Sequence, residues 1–388
     1  QRPQYEEAHM PQAWQLLQAA RLTRIMQSLQ DARQLPQQLR FLARTPIVPA
    51  VDAEIMARFT GYVTIADLVA DDQRAVTYQN SKVSYDTTNI PNIKHGQALT
   101  QAMLNQLQSL MGGSALPNDM GVFTNYENRV IDGLLAGVRQ RMEALIIAMQ
   151  LDSLSYDRLG IKITNASWGM PSDLKVTPSV SWDTAGSATP VNDLWSVRRT
   201  ARVRYGQEYN RISMSTQAFM YMIATTEYQN KARTFLAPNV SFTNLNAADL
   251  TFQQNLAESV LGMKIELYDA RAWSQGPDGS LVSTPLLPIT KVILSNSDDD
   301  GDPTAFDFAN GITTESIVAG LAPSEMVGSI GGPTAGPISY ATVPNDLNPP
   351  QITYWGVARG FPRKHRVQST AVLTVGSFAD TIPVGPPL

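Results

Sequence analysis

The sequence predicts an α+β fold built on one long helix, and three observations carry that reading. From Phe123 to Tyr156, Val130, Ile131, Leu134, Leu135, Val138, Met142, Leu145, Ile146 and Met149 recur at three- and four-residue steps, which places them on one face of an amphipathic helix. Residues 50–98 hold short β-prone pieces separated by polar sequence. From 191 onward, helical and strand-like segments alternate and end in the apolar run TAVLTV at Thr370–Val375.

A chain of 388 residues with 16% charged residues is long enough for two or three domains and too apolar for general disorder. The net charge of −4 gives no reason to expect an all-over basic nucleic-acid binder. There is no Cys, which excludes disulfides, thiolate metal sites and Cys nucleophiles, and fits a reducing compartment. No apolar run approaches the ~20 residues of a membrane span, and no signal peptide is evident. The chain opens at Gln1, so residues upstream of it are expected.

The elements follow in order. Pro11–Gln34 is a Gln-rich helix with a thin apolar stripe (Trp14, Leu17, Leu22, Ile25, Met26, Leu29), followed by Pro36, Pro46 and Pro49, so residues 1–49 read as an arm that lies on a neighbouring surface. Val51–Phe59, Tyr62–Ile65, Ala75–Tyr78 and Val83–Tyr85 suit an extended, polar two-stranded loop that needs support from a partner. Leu99–Met111 is a short helix. The long helix then starts on the capping pair Thr124 and Glu127 and runs ~45 Å at ~1.5 Å per residue. Gly133 and Gly137 interrupt it, each at a cost of about 1 kcal/mol relative to Ala, so a sheet is expected close against them. Asn165–Pro190 is loop with short strands. Val191–Tyr205, Thr216–Ala232 and Asn246–Val260 are helices; Arg211–Ser215, Lys264–Tyr268 and the KVILS segment are strands; Gly262 is a left-handed helix cap. Phe306–Ile317 precedes a strand pair around Gly360, within Ile352–Val367.

Motifs for chemistry are sparse. His9, His95 and His365 sit in no metalloprotease spacing and beside no nucleophile elbow, and no phosphate-binding glycine loop occurs. No catalytic residue, metal site or cofactor is therefore assigned. The segment Asn296-Ser297-Asp298-Asp299-Asp300-Gly301, closed by Asp307, has the oxygen spacing of a calcium loop, but Pro303 and the missing lead-in helix favour a solvated acidic turn. Two basic clusters stand out: Arg198, Arg199, Arg202 and Arg204 in one helix, and Arg363, Lys364, His365 and Arg366 after Pro362. Phosphate contact is one use for them. Without aromatic platforms, ion pairing within the protein or between subunits is the better reading.

The order of these parts resembles the major capsid protein of tailed bacteriophages, with the Hong Kong 97 fold, and most closely the phage lambda type of major head protein. The resemblance rests on LRFLARTPIVPAVDAEIMARFTGYVTIADLVADDQRAV as arm end and extended loop, SKVSYDTTNIPNIKHGQAL as its return, and NRVIDGLLAGVRQRMEALIIAMQLDSL, with Glu143 and Ala148, as the central helix. DFANGITTES and ARGFPRKHRVQSTAVLTVG complete it. It covers the chain from about Leu39 onward.

The resemblance implies an N-terminal arm (1–49), an extended loop (50–98), a P domain (99–190 and 345–388) holding the spine helix 123–156, and an inserted A domain (191–344). It implies self-assembly into hexamers and pentamers of an icosahedral head around double-stranded DNA, bound on the inner face without sequence specificity. Arm and loop would reach neighbouring capsomers, with portal, scaffold and decoration proteins as further partners and no membrane. The subunit would be assembled in the cytoplasm of a bacterial host and reside in the virion. Arg74, Tyr78, Lys82, Arg198 and Arg199 are the candidate assembly-interface residues. Two alternatives remain: the shell of an encapsulin-type bacterial nanocompartment, and a hydrolase with an unrecognised site.

Overall fold

A computed structural model describes residues 39–49, 53–61, 81–89, 91–99, 120–158, 161–235, 250–275, 281–311, 338–342 and 352–380. The expected arm helix Pro11–Gln34, the loop pieces Tyr62–Ile65 and Ala75–Tyr78, and nearly all of the Leu99–Met111 helix lie outside them. In chain order the described elements begin with helix α1 (Arg40–Arg44) and strands β1 (Ile47–Pro49), β2 (Ala53–Gly61), β3 (Ser81–Asn89) and β4 (Asn92–Leu99). The spine helix α2 (Met120–Gln150) follows, then β5 (Leu154–Arg158), β6 (Ile161–Ala166) and β7 (Lys175–Val176). Next come α3 (Pro190–Tyr205), β8 (Arg211–Met214), α4 (Thr216–Ala224), α5 (Thr226–Arg233), α6 (Leu250–Leu261) and β9 (Lys264–Leu267). The chain ends through β10 (Arg271–Gln275), β11 (Leu281–Pro285), β12 (Lys291–Ser295), β13 (Phe306–Asn310), β14 (Ile338–Thr342), β15 (Ile352–Lys364) and β16 (Thr370–Thr374).

The spine helix differs from the span 123–156 at both ends. It starts at Met120, so Thr124 and Glu127 lie inside it rather than capping it. It stops at Gln150 because the chain turns there. Ser153 N–H donates to Ala148 O and Asp152 N–H to Met149 O, a Schellman pair with Asp152 at the left-handed position (φ 53°). A non-glycine residue is held there by its own carboxylate, which accepts Trp168 N–H at 2.5 Å and Ser167 O–H at 2.6 Å and pairs with Lys175. Residues 154–158 then form β5, paired with β6. The apolar face is as expected: of the nine residues that define it, only Leu145 is less than fully buried.

Two sheets organise the body. In the first, the 13-residue β15 is shared by several partners. Its residues 352–359 pair with β4, 353–357 with β14 and 360–364 with β13, which in turn takes β1 in parallel. The expected strand pair around Gly360 is therefore one continuous strand. Gly360 marks the change of partner, where a Cβ would run into the Phe308 ring and approach Ala309 O at 3.0 Å. The spine packs on this sheet. The close approach comes from the strand side, since a Cβ on Gly356 would lie 3.1 Å from Leu134 Cβ and 3.3 Å from its backbone. Gly137 does face the sheet, against the His95 ring on β4, but Gly133 has nothing within 4 Å and is exposed.

The second sheet has the order β7-β16-β12-β8-β9. Helices α3 to α6 cover one face, with Val191, Leu194, Phe219 and Val260 packed on Ile212, Val292, Leu294 and Leu373. The pleat sends alternate residues of β12 to opposite sides. Val292 and Leu294 join the helical core, while Ile293 joins the spine core with Phe41, Met142, Ile146 and Phe308. The expected single helix over Thr216–Ala232 is two, because Thr225 is extended and caps α5 by accepting Tyr228 N–H. Sheet membership crosses the division at 191–344. Strand β13 belongs to the spine-side sheet, and β7 and β16 from outside that span complete the lobe's sheet. Likewise β4, read with the extended loop, belongs to the spine-side sheet.

Candidate assembly interface

Strands β2 and β3 form an antiparallel ribbon from Ala53↔Asn89 to Gly61↔Ser81 and pair with no other strand among the described residues. Nine residues at ~3.4 Å each make a ribbon ~31 Å long. Its sequence, AEIMARFTG against SKVSYDTTN, has too few apolar residues for a core of its own, and an isolated two-stranded ribbon is marginal in water. Of the interface candidates, Lys82 lies on β3 opposite Thr60, while Arg74 and Tyr78 lie outside the described residues.

The α3 cluster divides. Arg198 donates from Nε to Glu208 Oε1 at 2.9 Å, and Arg202 from Nε to Glu208 Oε2 at 2.6 Å. Partial desolvation works against the Glu208 carboxylate, but its bonds to Arg202 and Arg198 outweigh that and hold it below the usual range. Arg204 and the Tyr205 hydroxyl bind Asp173, at 2.9 and 2.7 Å. Arg198 thus serves the lobe's own cohesion. Arg199 is exposed, and with Trp195 (42% exposed) and Val203 (74% exposed) it forms a stripe at four-residue spacing along α3. Lys231 sits 4.4 Å from the centre of the Trp195 ring. Phe235, just after α5, and Phe252, on α6, are also exposed.

The second basic cluster and the acidic turn, separate in the sequence, are two halves of one network. Arg363 grips Asp307 with both arms of its guanidinium, at 2.7 and 2.6 Å, and His365 Nε2 stands 3.2 Å from the same carboxylate. Arg366 bridges Asp299 and Asp302, both at 3.0 Å, and Arg211 holds Asp300. Asp299 and Asp307 are almost fully buried and arginine-paired, while Asp298, Gly301, Pro303 and Thr304 stay exposed, so the turn is solvated on its outer side and packed on its inner one. Burial pushes both carboxyls up, against the pull of Arg366 on Asp299 and of His365 on Asp307. Among the described residues no cluster of carboxylates and histidines has metal-holding geometry. No helix among them is long and apolar enough to cross a membrane.

Sequence reasoning gave no role to Glu143, Glu266 and Tyr268, which tie the start of the described chain to the spine and the lobe. Glu143 is fully buried and accepts Phe41 N–H, Leu42 N–H and Tyr268 O–H. Glu266 pairs with Arg40 and Arg44 and accepts Ser213 O–H. The available signal was a carboxylate inside the apolar stripe of the spine, next to Met142 and three residues before Ile146.

Comparison with known proteins bears on this architecture. The structure resembles a phage-related protein from Bordetella bronchiseptica RB50, with a TM-score of 0.52 and 12% identity over 90% of this chain and 96% of that one. It also resembles a protein assigned as the capsid protein of an E. coli CFT073 prophage, with a TM-score of 0.52 and 11% identity over 92% of this chain and 99% of that one. At such identities the likeness shows the fold, which is of the Hong Kong 97 capsid type. Among curated proteins no relative matches the chain. The family model of phage major capsid protein E matches residues 18–316 and favours neither a nanocompartment shell nor a hydrolase. With its fold and most of its length accounted for in this way, the chain belongs to the phage major capsid protein E family and forms the shell of a phage head.

Proposed function

We propose that the subunit assembles into hexamers and pentamers that close an icosahedral head around the double-stranded DNA of a tailed phage. The arm and the β2–β3 ribbon lie on neighbouring subunits, and the A domain, 191–344, meets its copies around the capsomer axes. The spine and its sheet form the P-domain plate (99–190 and 345–388). Assembly takes place in the host cytoplasm, with portal, scaffold and decoration proteins as partners and DNA packed against the inner wall without sequence specificity. The observation that carries this reading is the ribbon: a ~31 Å polar hairpin that pairs only with itself among the described residues gains stable support from another copy.

Within this reading Arg199, beside exposed Trp195 and Val203, is a subunit contact, whereas Arg198 is internal. The test is negative-stain microscopy of the purified full chain beside Arg199→Glu. Wild type is expected to give closed particles. Arg199→Glu is expected to leave the melting temperature within error and to cut particle yield about tenfold, as a reversed charge at a contact does. A wild-type chain that stays monomeric at every salt and pH condition would sink the reading. Full particle yield from Arg199→Glu would remove Arg199 from the interface.

A further inference from the structure

The segment 39–49 begins as the end of an arm in the sequence and ends as core in the structure. Leu39, Phe41 and Leu42 are buried against the spine, and the Phe41 ring meets Tyr268 edge to face at 5.1 Å. Helix α1 has no side-chain cap of its own at Leu39. Its first amides are met instead by a residue about a hundred positions away. Phe41 N–H donates to Glu143 Oε1 at 3.0 Å and Leu42 N–H to Glu143 Oε2 at 2.5 Å. Tyr268 O–H adds a third bond, to Oε1 at 2.7 Å. The far end of the segment is pinned as well. Gly301 N–H donates to Arg44 O at 2.8 Å, Phe308 N–H donates to Pro46 O at 2.9 Å, and β1 runs parallel to β13.

A fully buried carboxylate is a costly way to fill this space. An apolar side chain of similar size is generally as good for stability, provided that no polar partner is left unpaired. Here the partners are backbone amides, which cannot be exchanged for apolar groups. Apolar packing of Phe41 and Leu42 tolerates small slips, whereas two charge-assisted bonds to adjacent amides fix position and direction together. The segment so fixed has residues 1–38 on one side and the β2–β3 ribbon on the other.

We propose that Glu143 is a positioning residue for shell assembly: by clamping the Phe41 and Leu42 amides it sets where both intersubunit extensions leave the body of the subunit. The inference rests on the shell-forming role of the family and on the reading of arm and ribbon as intersubunit elements. It assigns to one spine carboxylate the geometry of both extensions.

The experiment uses the full chain as wild type, Glu143→Leu and Glu143→Gln, with Val292→Ala in the lobe core as a variant that lowers stability without touching the clamp. Three quantities are read on each: the urea unfolding midpoint, hydrogen exchange at Phe41 and Leu42, and the yield of closed particles. Glu143→Leu is expected to speed exchange at these amides by roughly tenfold or more and to lower particle yield in step. Glu143→Gln, which keeps one carbonyl acceptor, should recover part of both. Val292→Ala should lower the midpoint while yield stays near wild type, and its exchange at Phe41 and Leu42 should rise no more than the fall in global stability accounts for, whereas in Glu143→Leu it rises beyond that. Particle yield that follows the unfolding midpoint across all variants, or wild-type particles from a Glu143→Leu chain whose amides are unprotected, overturns the proposal. Should Glu143→Leu fail to fold, Glu143→Gln against Val292→Ala decides in the same way. A wild type without particles refutes the shell reading itself, and unchanged amide protection in both Glu143 variants refutes the clamp.

Discussion

Lys364 shows how far burial alone can move one residue. It follows Pro362 and Arg363 in a run that looks like a surface basic cluster, yet its side chain is 1% exposed. Its Nζ donates to Thr370 Oγ1 at 2.6 Å, and Thr370 Oγ1 in turn donates to Gln150 O at 3.1 Å. Desolvation pulls the amine down from its ordinary 10.5 to about 7, with Asp152 pulling the other way. The sign follows from proton counting. Between the folded and unfolded values the unfolded chain holds the extra proton, so stability rises as pH rises through that window. Below about 7 the cost of burying the amine is fully present. Lys364→Met removes it and leaves the Thr370 bond to Gln150 in place, so the variant should be more stable by about 1–3 kcal/mol near pH 6. The gain should shrink towards nothing near pH ~10, where the folded amine is already neutral and the unfolded one is losing its proton. Urea unfolding at the two pH values checks this, and a gain that persists undiminished at the higher pH would contradict it.

At the scale of the element, the glycines of the spine contact separate two effects that the sequence could not. Gly133 lies in a helix interior with open space around it, so its cost is purely conformational, and Gly133→Ala should stabilise by about 0.5–1 kcal/mol. Gly356 lies across the interface, where a Cβ would press on the Leu134 backbone, which cannot move aside, so Gly356→Ala should destabilise by about 1–3 kcal/mol. Thermal melts of the two single variants should shift in opposite directions; a loss at Gly133 would mean that its face is covered. The same contrast marks the limit of legibility. Periodicity revealed the spine's apolar face and the helices α3 and α6, because one-sided burial is written into spacing. Gly360 reads as a turn in sequence, and only the Phe308 ring packed over it explains why the strand runs straight through. The end of the spine at Gln150 depends on Asp152 finding Trp168 and Lys175, partners 16 and 23 positions on, which no local pattern encodes. Of the candidate interface, Arg198 and Arg199 look alike in sequence, and only Glu208 folding back distinguishes them.

At the scale of the whole molecule, the two cores are laced together by strands that cross between them. The lobe's sheet is completed by β16, which reaches it only after the chain has passed through the long β15 of the spine-side sheet. Tyr209, buried in the lobe, donates its hydroxyl to Gln368 O at 2.8 Å in the link that precedes β16. Strand β12 carries Ile293 into one core and Val292 and Leu294 into the other, and Leu151 touches both. The lobe therefore cannot unfold without withdrawing β16 and stripping one side from β12, which exposes the spine core. Lobes joined only by a linker would unfold independently; here a single cooperative transition is expected. Two buried tryptophans report on the two halves, Trp168 stacked on Phe361 at 5.6 Å beneath the spine and Trp182 in the lobe core with its Nε1 donating to Asp193. Single-tryptophan variants retaining one or the other should give coincident urea midpoints and equal m-values, because the surface exposed is the same whichever probe watches it. An earlier transition at Trp182, with a smaller m-value, would mean that the lobe opens alone. Coincidence would mean that the lobe and the spine side, joined through β12 and β16, form one cooperative unit.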